Sequence, residues 1–306
     1  MVKLINNRKK NRLDKLLEAE DPVFDKDYRK FLGMKPCPFA KKIIENIEKN
    51  IGFCSYGLVN DHNLHPNSNK TVDSALMAVA YIGLEMEDRA REIVAAVEEH
   101  MFPKKGGDLF FNGLVDFDIE ADANLAMALA YQGLGMDEKA DNIIKAVEES
   151  IQYRRIDKKR KLSLLGHDPD SNIVRSEDNA LYAIVKQIQG DYSMARHMMF
   201  NLRDTLTEKD RNAILAQFGT DNKRYLVESN ALCAVACMLG NDPDWRRYMT
   251  GIIGKIGKPK EPRINEPEYN IYLTGTNAAM AIYYMCAKGF TDKIKKNGTN
   301  KKKQKK

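Results

Sequence analysis

Two kinds of helix alternate along most of the chain, and they differ in where their charged residues lie. Segments of the first kind are alanine-rich and almost free of charge, at residues 72–85, 122–135, 177–190, 228–240 and 275–288. Segments of the second kind have an apolar stripe with charges opposite, at residues 39–51, 88–101, 137–151, 192–206 and 243–256. An uncharged helix is buried on all sides, whereas a striped helix is buried on one side only. The pattern therefore predicts an inner and an outer layer of helices.

The alternation comes from an internal repeat of about fifty residues. Six positions of the first clear copy recur fifty residues later: Met77, Ala78, Ala80, Tyr81, Gly83 and Leu84 become Met127, Ala128, Ala130, Tyr131, Gly133 and Leu134. Looser copies start at Asn124, Asn179, Asn230 and Asn277. A repeat of this kind predicts one domain assembled from similar helical hairpins.

The connections between helices alternate in length. Links from an apolar to a striped helix are very short, whereas the links in the other direction span residues 52–70, 102–120, 152–176, 207–227 and 258–274. Long loops inside a compact domain are uncommon and usually functional. In an up-and-down array they all emerge at one end. We expect an all-α toroid of five to six helical hairpins; the alternative is an open solenoid of the tetratricopeptide type, which has a shorter repeat and short loops at both ends.

Composition fits one domain with charged ends. Of the 306 residues, 43% are hydrophobic, which suffices for a core. Residues 1–38 are predicted to be a basic helical segment, residues 39–290 the toroid, and residues 291–306 a lysine-rich disordered tail. The sequence contains neither an apolar run long enough to span a membrane nor a signal peptide, and its five cysteines fit a reducing compartment, so we expect a cytoplasmic protein.

Local motifs resemble those of the six-hairpin glycosidases, the (α/α)6-toroid superfamily. A Gly-Leu-Val segment precedes an acidic loop and an Asn-containing helix start, at residues 57–61 before Asp73 and at residues 113–116 before Asp122. The resemblance covers roughly residues 39–289. With five clear inner helices, a sixth hairpin would have to come from the N-terminal segment or be absent. Terpenoid cyclases and protein prenyltransferases share the toroid, so the architecture alone does not give the activity.

Carboxylates gather where the inner helices start. In a toroid these starts converge at the mouth on the long-loop face, and they carry Asp73, Asp122, Glu177, Asp178, Glu228 and Thr276. The structural alternative is plain N-terminal capping, for which Asp and Thr are preferred. The resemblance implies that catalytic acids come from these starts and the loops before them. On that basis we predict the catalytic residues Asp116, Asp122, Asp178 and Glu228.

Aromatic residues in the long loops are predicted to bind substrate: Tyr56, Phe111, Phe117, Tyr225, Tyr269 and Tyr272. Glycoside cleavage needs one carboxyl group to protonate the leaving oxygen and a second to activate water, and the two groups are roughly 6.5–9.5 Å apart in inverting enzymes. We therefore expect hydrolysis of a glycosidic bond in an oligosaccharide or glycoconjugate held in the funnel. The competing hypothesis is a non-catalytic toroid that serves as a binding or scaffold protein.

Other chemistries are less favoured by the sequence. A metal site could use Asp61, His62 and His65 together with His167, Asp168 and Asp170, but the spacing matches no standard motif, so no metal ligand is assigned. Cys54 near His62 is a weak candidate for a nucleophile. The adjacent glycines Gly106 and Gly107 precede Asp108, whose charge disfavours a phosphate, and no cofactor is predicted. The lysine tail could contact nucleic acid or anionic surfaces, and the oligomeric state is left open.

Overall fold

A computed structural model describes residues 32–62, 68–103, 107–157, 162–170, 172–208, 213–214, 217–218, 226–240, 265–266 and 271–303. Nine helices lie within these ranges: α1 (Pro38–Asn50), α2 (Thr71–Gly83), α3 (Glu87–Met101), α4 (Ala121–Gly133), α5 (Asp137–Ser150), α6 (Ser176–Ile188), α7 (Tyr192–Leu206), α8 (Val227–Leu239) and α9 (Thr274–Lys303). The predicted helices in this part of the chain are confirmed to within a few residues at most ends. The predicted outer helix at residues 243–256 and nearly all of the N-terminal segment lie outside the described residues.

The uncharged helices form a closed inner ring. Helix α2 packs against α4, α4 against α6, α6 against α8, α8 against α9, and α9 returns to pack against α2. Outside this ring, α3 packs on α2, α5 on α4, α7 on α6, and α1 on α9. The all-α toroid is confirmed, and the open solenoid is wrong because the first and last inner helices are in contact. Five described inner helices are enough to close the ring.

Burial follows the two helix types. Every residue of α4 is buried, whereas α1 buries Ala40 and its three isoleucines, Ile43, Ile44 and Ile47, and leaves its lysines exposed. Where the ring closes, Gly83 of α2 faces α9 so closely that a Cβ atom would lie 2.7 Å from Met285 Cε. A side chain at this position would require the methionine side chains packed against it to shift.

A polar contact recurs in three successive hairpins. In each, an inner-helix tyrosine donates its hydroxyl hydrogen bond to a glutamate of the preceding outer helix, and a basic side chain lies near the same carboxylate. The sets are Tyr81, Glu48 and Arg89; Tyr131, Glu98 and Lys139; and Tyr182, Glu148 and Lys186. The three glutamates are spaced by the repeat length, so this network belongs to the repeating architecture.

The long loops contain short antiparallel strand pairs. Strand β1 (Tyr153–Asp157) pairs with β2 (Leu162–Leu165), and β3 (Val174–Arg175) pairs with β6 (Gln217–Phe218). Strand β4 (Thr207–Glu208) pairs with β5 (Ala213–Ile214), and β7 (Asn265–Glu266) with β8 (Ile271–Tyr272). The sequence did not predict these pairs because they are too short to show a period-two pattern.

The last helix differs from its prediction. Helix α9 continues to Lys303, beyond the predicted end at residue 288 and into the segment predicted to be a disordered tail. Lysine is a good helix former, and Lys288 and Lys35 both lie 3.3 Å from Asp292 in this stretch. The boundary of the toroid near residue 290 stays a prediction. Within the described ranges, none of the helices combines the length and the apolar character that crossing a membrane requires.

Candidate functional site

The carboxylates at the mouth occupy two successive positions of the inner helices. Asp122, Glu177 and Glu228 lie two residues before the repeated asparagine, where α9 has Gly275. Asp73 and Asp178 lie one residue before the asparagine position. All are buried except Glu228, which is partly exposed. The N-caps of α2, α4, α6 and α8 are Lys70, Glu120, Arg175 and Leu226, none with a side-chain cap bond. None of these acids is therefore the N-cap residue of its helix; they lie in the first turn, where Asp122 accepts a hydrogen bond from the Ala123 N–H.

The repeated asparagines fasten the long loops to the mouth. Asn124 accepts a hydrogen bond from the Phe110 N–H and donates one to the Phe110 carbonyl. Asn179 makes the same pair of bonds with Leu165, at 2.8 and 3.1 Å. Leu165 is two residues from His167, so this contact fixes the loop that delivers a histidine to the site. The sequence shows these asparagines, but their partners lie in loops that the repeat does not cover.

His167 is the centre of one group of acids. Its Nδ1 lies 3.1 Å from Asp178 Oδ2, and its Nε2 lies 3.1 Å from Glu120 Oε1. The contact to Glu120 has the distance of an ion pair but lacks hydrogen-bond geometry, so buried Nε2 has no hydrogen-bond partner. Asp122 completes this group, since ligand atoms of Glu120, Asp122 and His167 all lie within 4.8 Å of one another. We call Glu120, Asp122, His167 and Asp178 the histidine cluster.

The charges of the histidine cluster depend on one another. Burial alone would lower the pKa of His167, but the contacts with Asp178 and Glu120 outweigh it and raise that pKa to about 11. Burial raises the pKa of Asp122, helped by the nearby charge of Glu120. Glu120 has a lowered pKa because His167 and Arg175 outweigh its own burial. The imidazolium is therefore one of the cations, together with Arg175 and Lys70, that balance these carboxylates.

Asp73 and Glu228 form a second group over Gly275. Asp73 Oδ1 and both carboxylate oxygens of Glu228 lie within 3.2 Å of the point where a Cβ atom of residue 275 would sit. A side chain there would require these carboxylates to shift, so glycine leaves space for the pair in this arrangement. Burial raises the pKa of Asp73 to about 7, although Lys70 and the Gly275 N–H partly oppose the shift. We call Asp73 and Glu228 the glycine pair.

Lys70 links the two groups electrostatically. Partial desolvation lowers its pKa, but Asp73, Asp61, Asp122 and Glu120 together raise the pKa above its ordinary value. Arg175 has a similar position on the other side, where Asp122, Glu177 and Asp178 overcome desolvation and raise its pKa. Glu177 accepts a 2.6 Å hydrogen bond from Ser229 and connects α6 to α8. Among the described residues at the helix starts, acids thus outnumber bases, and most of these acids are buried.

Three of the predicted site residues, Asp116, Phe111 and Phe117, lie in the long loop before α4, which we call the rim loop. Asp116 holds a tight turn, accepting bonds from the Asn112 side chain and the Asp118 N–H. Phe111 and Phe117 contact edge-to-face at 5.3 Å, and Phe117 is 67% exposed. Their loop joins the start of α2, because Thr71 donates to the carbonyls of Phe111 and Asn112.

The remaining predicted aromatics are less informative. Tyr56 is half-exposed and packs against His100 at 4.8 Å. Tyr272 lies in β8, close along the chain to the start of α9. Tyr225 and Tyr269 lie outside the described residues. Their predicted contact with substrate stays a prediction.

Of the predicted catalytic residues, Asp122 and Asp178 meet at His167, and Glu228 lies beside Asp73, a helix-start acid that the catalytic prediction does not include. The sequence indication for Asp73 is indirect. Three inner helices have an acid two residues before the asparagine position, whereas α9 has Gly275 there, next to which Asp73 lies. The alternative metal set is not assembled as predicted: within the described residues, His167 joins Glu120 and Asp122, while Asp61 contacts His62 at 3.4 Å. His65 lies outside the described ranges.

The geometry can be compared with known proteins. No protein-family model matches the chain, and no curated protein sequence matches it. Solved structures do match. An endo-β-1,4-glucanase from Acetobacter xylinum has a TM-score of 0.57 at 9% identity, over 83% of this chain and 98% of that one. A GH76 α-mannanase from Bacteroides thetaiotaomicron has a TM-score of 0.54 at 11% identity, over 84% and 96%. A D-mannose isomerase has a TM-score of 0.52 at 13% identity, over 92% and 86%.

The fold is an α/α toroid like that of these enzymes. The alignments run over nearly the full length of the two hydrolases, so the likeness extends across the toroid. At this identity the likeness concerns the fold, and one neighbour with the same fold is an isomerase. The activity must therefore be argued from the residues at the mouth.

Proposed function

We propose that this protein is a carbohydrate-active enzyme that hydrolyses a glycosidic bond with paired carboxylates at the mouth of the toroid. The observation that carries the proposal is the glycine pair: two acids meet over Gly275, at the end of the ring where the long loops converge. Asp122 and Asp178, predicted from the sequence, lie in the neighbouring histidine cluster and belong to the same proposed site. Asp116 stays a predicted member at its rim.

Asp73 is suited to act as the general acid. A carboxyl group whose pKa is about 7 is protonated in a large fraction of molecules near neutral pH, so it can donate a proton to a leaving oxygen. Glu228 is more exposed than Asp73 and lies beside it, so it can serve as the second carboxylate of the pair. The two groups are closer than the roughly 6.5–9.5 Å that separates the carboxyl groups of inverting enzymes. This spacing favours a double displacement, in which Glu228 is the nucleophile and the product retains its anomeric configuration.

The rim supports an oligosaccharide ligand. Phe117 and Tyr56 are exposed aromatic rings on long loops, and an aromatic face packs well against the apolar face of a sugar ring. A mannanase of the same fold was solved with α-1,6-mannotriose as an inactive variant that lacks two adjacent aspartates, at 11% identity and a TM-score of 0.51. In this chain Glu177 and Asp178 are adjacent carboxylates on α6. Mannose-containing oligosaccharides are therefore the first substrates to test.

The experiment is hydrolysis of α-1,6-mannotriose, cellotetraose and xylotriose, followed by chromatography of the products. We expect the wild-type protein to cleave at least one of them, and Asp73→Asn and Glu228→Gln to lose that activity while remaining folded. Glu98→Gln, a carboxylate change on an outer helix, is the matched control and should remain active. Binding of a sugar without cleavage would replace the proposal with the binding-module alternative. Failure of the folded protein to bind or cleave any of the three would refute it.

A further inference from the structure

The histidine cluster has the arrangement of a metal site. Asp178 lies 3.1 Å from Nδ1 of His167 and orients the imidazole, so Nε2 points toward Glu120. A carboxylate on one ring nitrogen of a histidine that binds metal through the other is the usual arrangement behind metal-ligating histidines. The ring is 3% exposed, and its Nε2 has no hydrogen-bond partner. Without metal this nitrogen carries a proton beside Glu120, and a bound ion would displace that proton and take the lone pair.

The ligand types and spacing are also suitable. One imidazole nitrogen and two carboxylate oxygens lie within 4.8 Å of one another, close enough for one ion to contact all three after small side-chain rotations. Asp122 uses one oxygen to accept a 2.7 Å bond from the Ala123 N–H, and its other oxygen can serve as a ligand. Nitrogen and carboxylate donors together are typical of zinc and other divalent transition metals, whereas magnesium and calcium prefer oxygen alone.

We propose that Glu120, Asp122 and His167 bind a divalent transition metal ion such as Zn²⁺, with Asp178 as the positioning residue for the histidine. Three protein ligands leave one coordination position open for water or for a hydroxyl group of a ligand. Because Lys70 interacts with both Asp73 and Asp122, this position belongs to the same mouth as the glycine pair. The proposal does not depend on the hydrolase function, since metal binding can be measured without a substrate.

Metal content provides the test. The full-length protein would be treated with a chelator, dialysed against Zn²⁺, freed of unbound metal, and analysed by elemental analysis and by titration calorimetry. We expect one tightly bound ion per chain. Asp122→Asn and His167→Gln should abolish zinc binding, and Asp178→Asn should lower the zinc affinity by about 10-fold or more. Glu177→Gln is the matched control, because it removes a buried carboxylate from the same region but no ligand. It should bind zinc as the wild type does.

Cobalt distinguishes this site from the cysteines. Cys233 and Cys237 lie one turn apart on α8 and could bind zinc through sulfur. Co²⁺ bound to nitrogen and oxygen lacks the strong thiolate charge-transfer absorption, so its spectrum separates the two possibilities. A thiolate spectrum, the absence of bound metal, or equal loss of zinc in Glu177→Gln and Asp122→Asn would each overturn the proposal. If His167→Gln fails to fold, Glu120→Gln and Asp178→Asn provide the same comparison.

Discussion

Two sets of buried or half-buried carboxylates in this molecule contrast sharply. Glu48, Glu98 and Glu148 stand at equivalent positions of successive repeats, and each accepts a bond from an inner-helix tyrosine. The acids at the mouth do not repeat in this way. The position that holds Asp122, Glu177 and Glu228 in three helices is Val72 in α2 and Gly275 in α9. One set recurs in three successive hairpins, and the other differs from helix to helix.

The difference separates residues that build the fold from residues that use it. The contact that recurs in three hairpins stabilises each of them. Each glutamate in it has a tyrosine hydroxyl and a basic side chain as partners. The mouth acids instead have pKa values raised by burial, as for Asp73 and Glu177, which means that their ionised forms destabilise the folded state. Acids whose pKa values are strongly shifted by burial are typical of functional sites. The predictions below test this contrast, from the largest expected effect to the smallest.

The largest effect is expected for catalysis by Asp73. Replacing a general acid lowers turnover by about 10²–10⁴-fold, so Asp73→Asn should fall by that amount on any sugar that the wild type cleaves. Since Asp73 must be protonated to act, wild-type activity should decline as pH rises through about 7. A pH–rate profile measures both. A profile that stays flat from pH 6 to pH 9, or an Asp73→Asn variant with normal turnover, would contradict the assignment.

Next in size is the fastening of the histidine loop. Asn179→Ala removes both bonds to Leu165 and leaves a buried N–H and carbonyl without partners, at about 1–3 kcal/mol for each group. Denaturant unfolding should show the loss, and zinc affinity should fall because His167 is two residues away. A variant that loses stability but binds zinc normally would show that the loop is positioned by other contacts.

A smaller effect is expected from the repeated network. Tyr131→Phe removes the 2.6 Å hydrogen bond to Glu98, which is partly exposed, so stability should fall by about 1–2 kcal/mol. Activity and metal binding should be unchanged, because this contact belongs to the scaffold. Denaturant unfolding and a turnover assay on the same preparation check both statements. If Tyr131→Phe has normal stability but impaired turnover, the contact with Glu98 serves the activity and not the scaffold.

The smallest effect is expected at the rim. Phe117 is largely exposed and packs mainly on Phe111, so Phe117→Ala should change stability by less than about 0.5 kcal/mol. If the ring contacts a sugar, partial loss of that contact should raise KM about 5-fold with kcat unchanged, as expected for about 1 kcal/mol of apolar contact. An unchanged KM would remove Phe117 from the predicted substrate-binding residues.

Periodicity made the toroid predictable, while the site was only partly so. The uncharged helices, the striped helices and the alternating loops each leave a pattern in the sequence, and together they specify two layers and a functional end. The meeting of His167 with Glu120 and Asp122 leaves no such pattern, because it depends on the path of a loop fixed by Asn179. Asp73 and Glu228 are far apart in sequence and meet only because the ring closes at Gly275.

The most direct measurement compares two variants that each remove one carboxylate charge and preserve shape. The free energy of unfolding of Asp73→Asn and Glu98→Gln would be measured at pH 8 and at pH 5. Because the pKa of Asp73 is raised from 3.8 to about 7, its ionisation destabilises the fold increasingly as pH rises through that range and fully above it. Asp73→Asn should therefore be more stable than the wild type at pH 8, by on the order of a few kcal/mol. At pH 5 this gain in stability should be smaller. Glu98→Gln should be less stable than the wild type, by about 1 kcal/mol. If both variants lose stability equally at pH 8, the mouth acids are part of the scaffold and the distinction between the two sets fails.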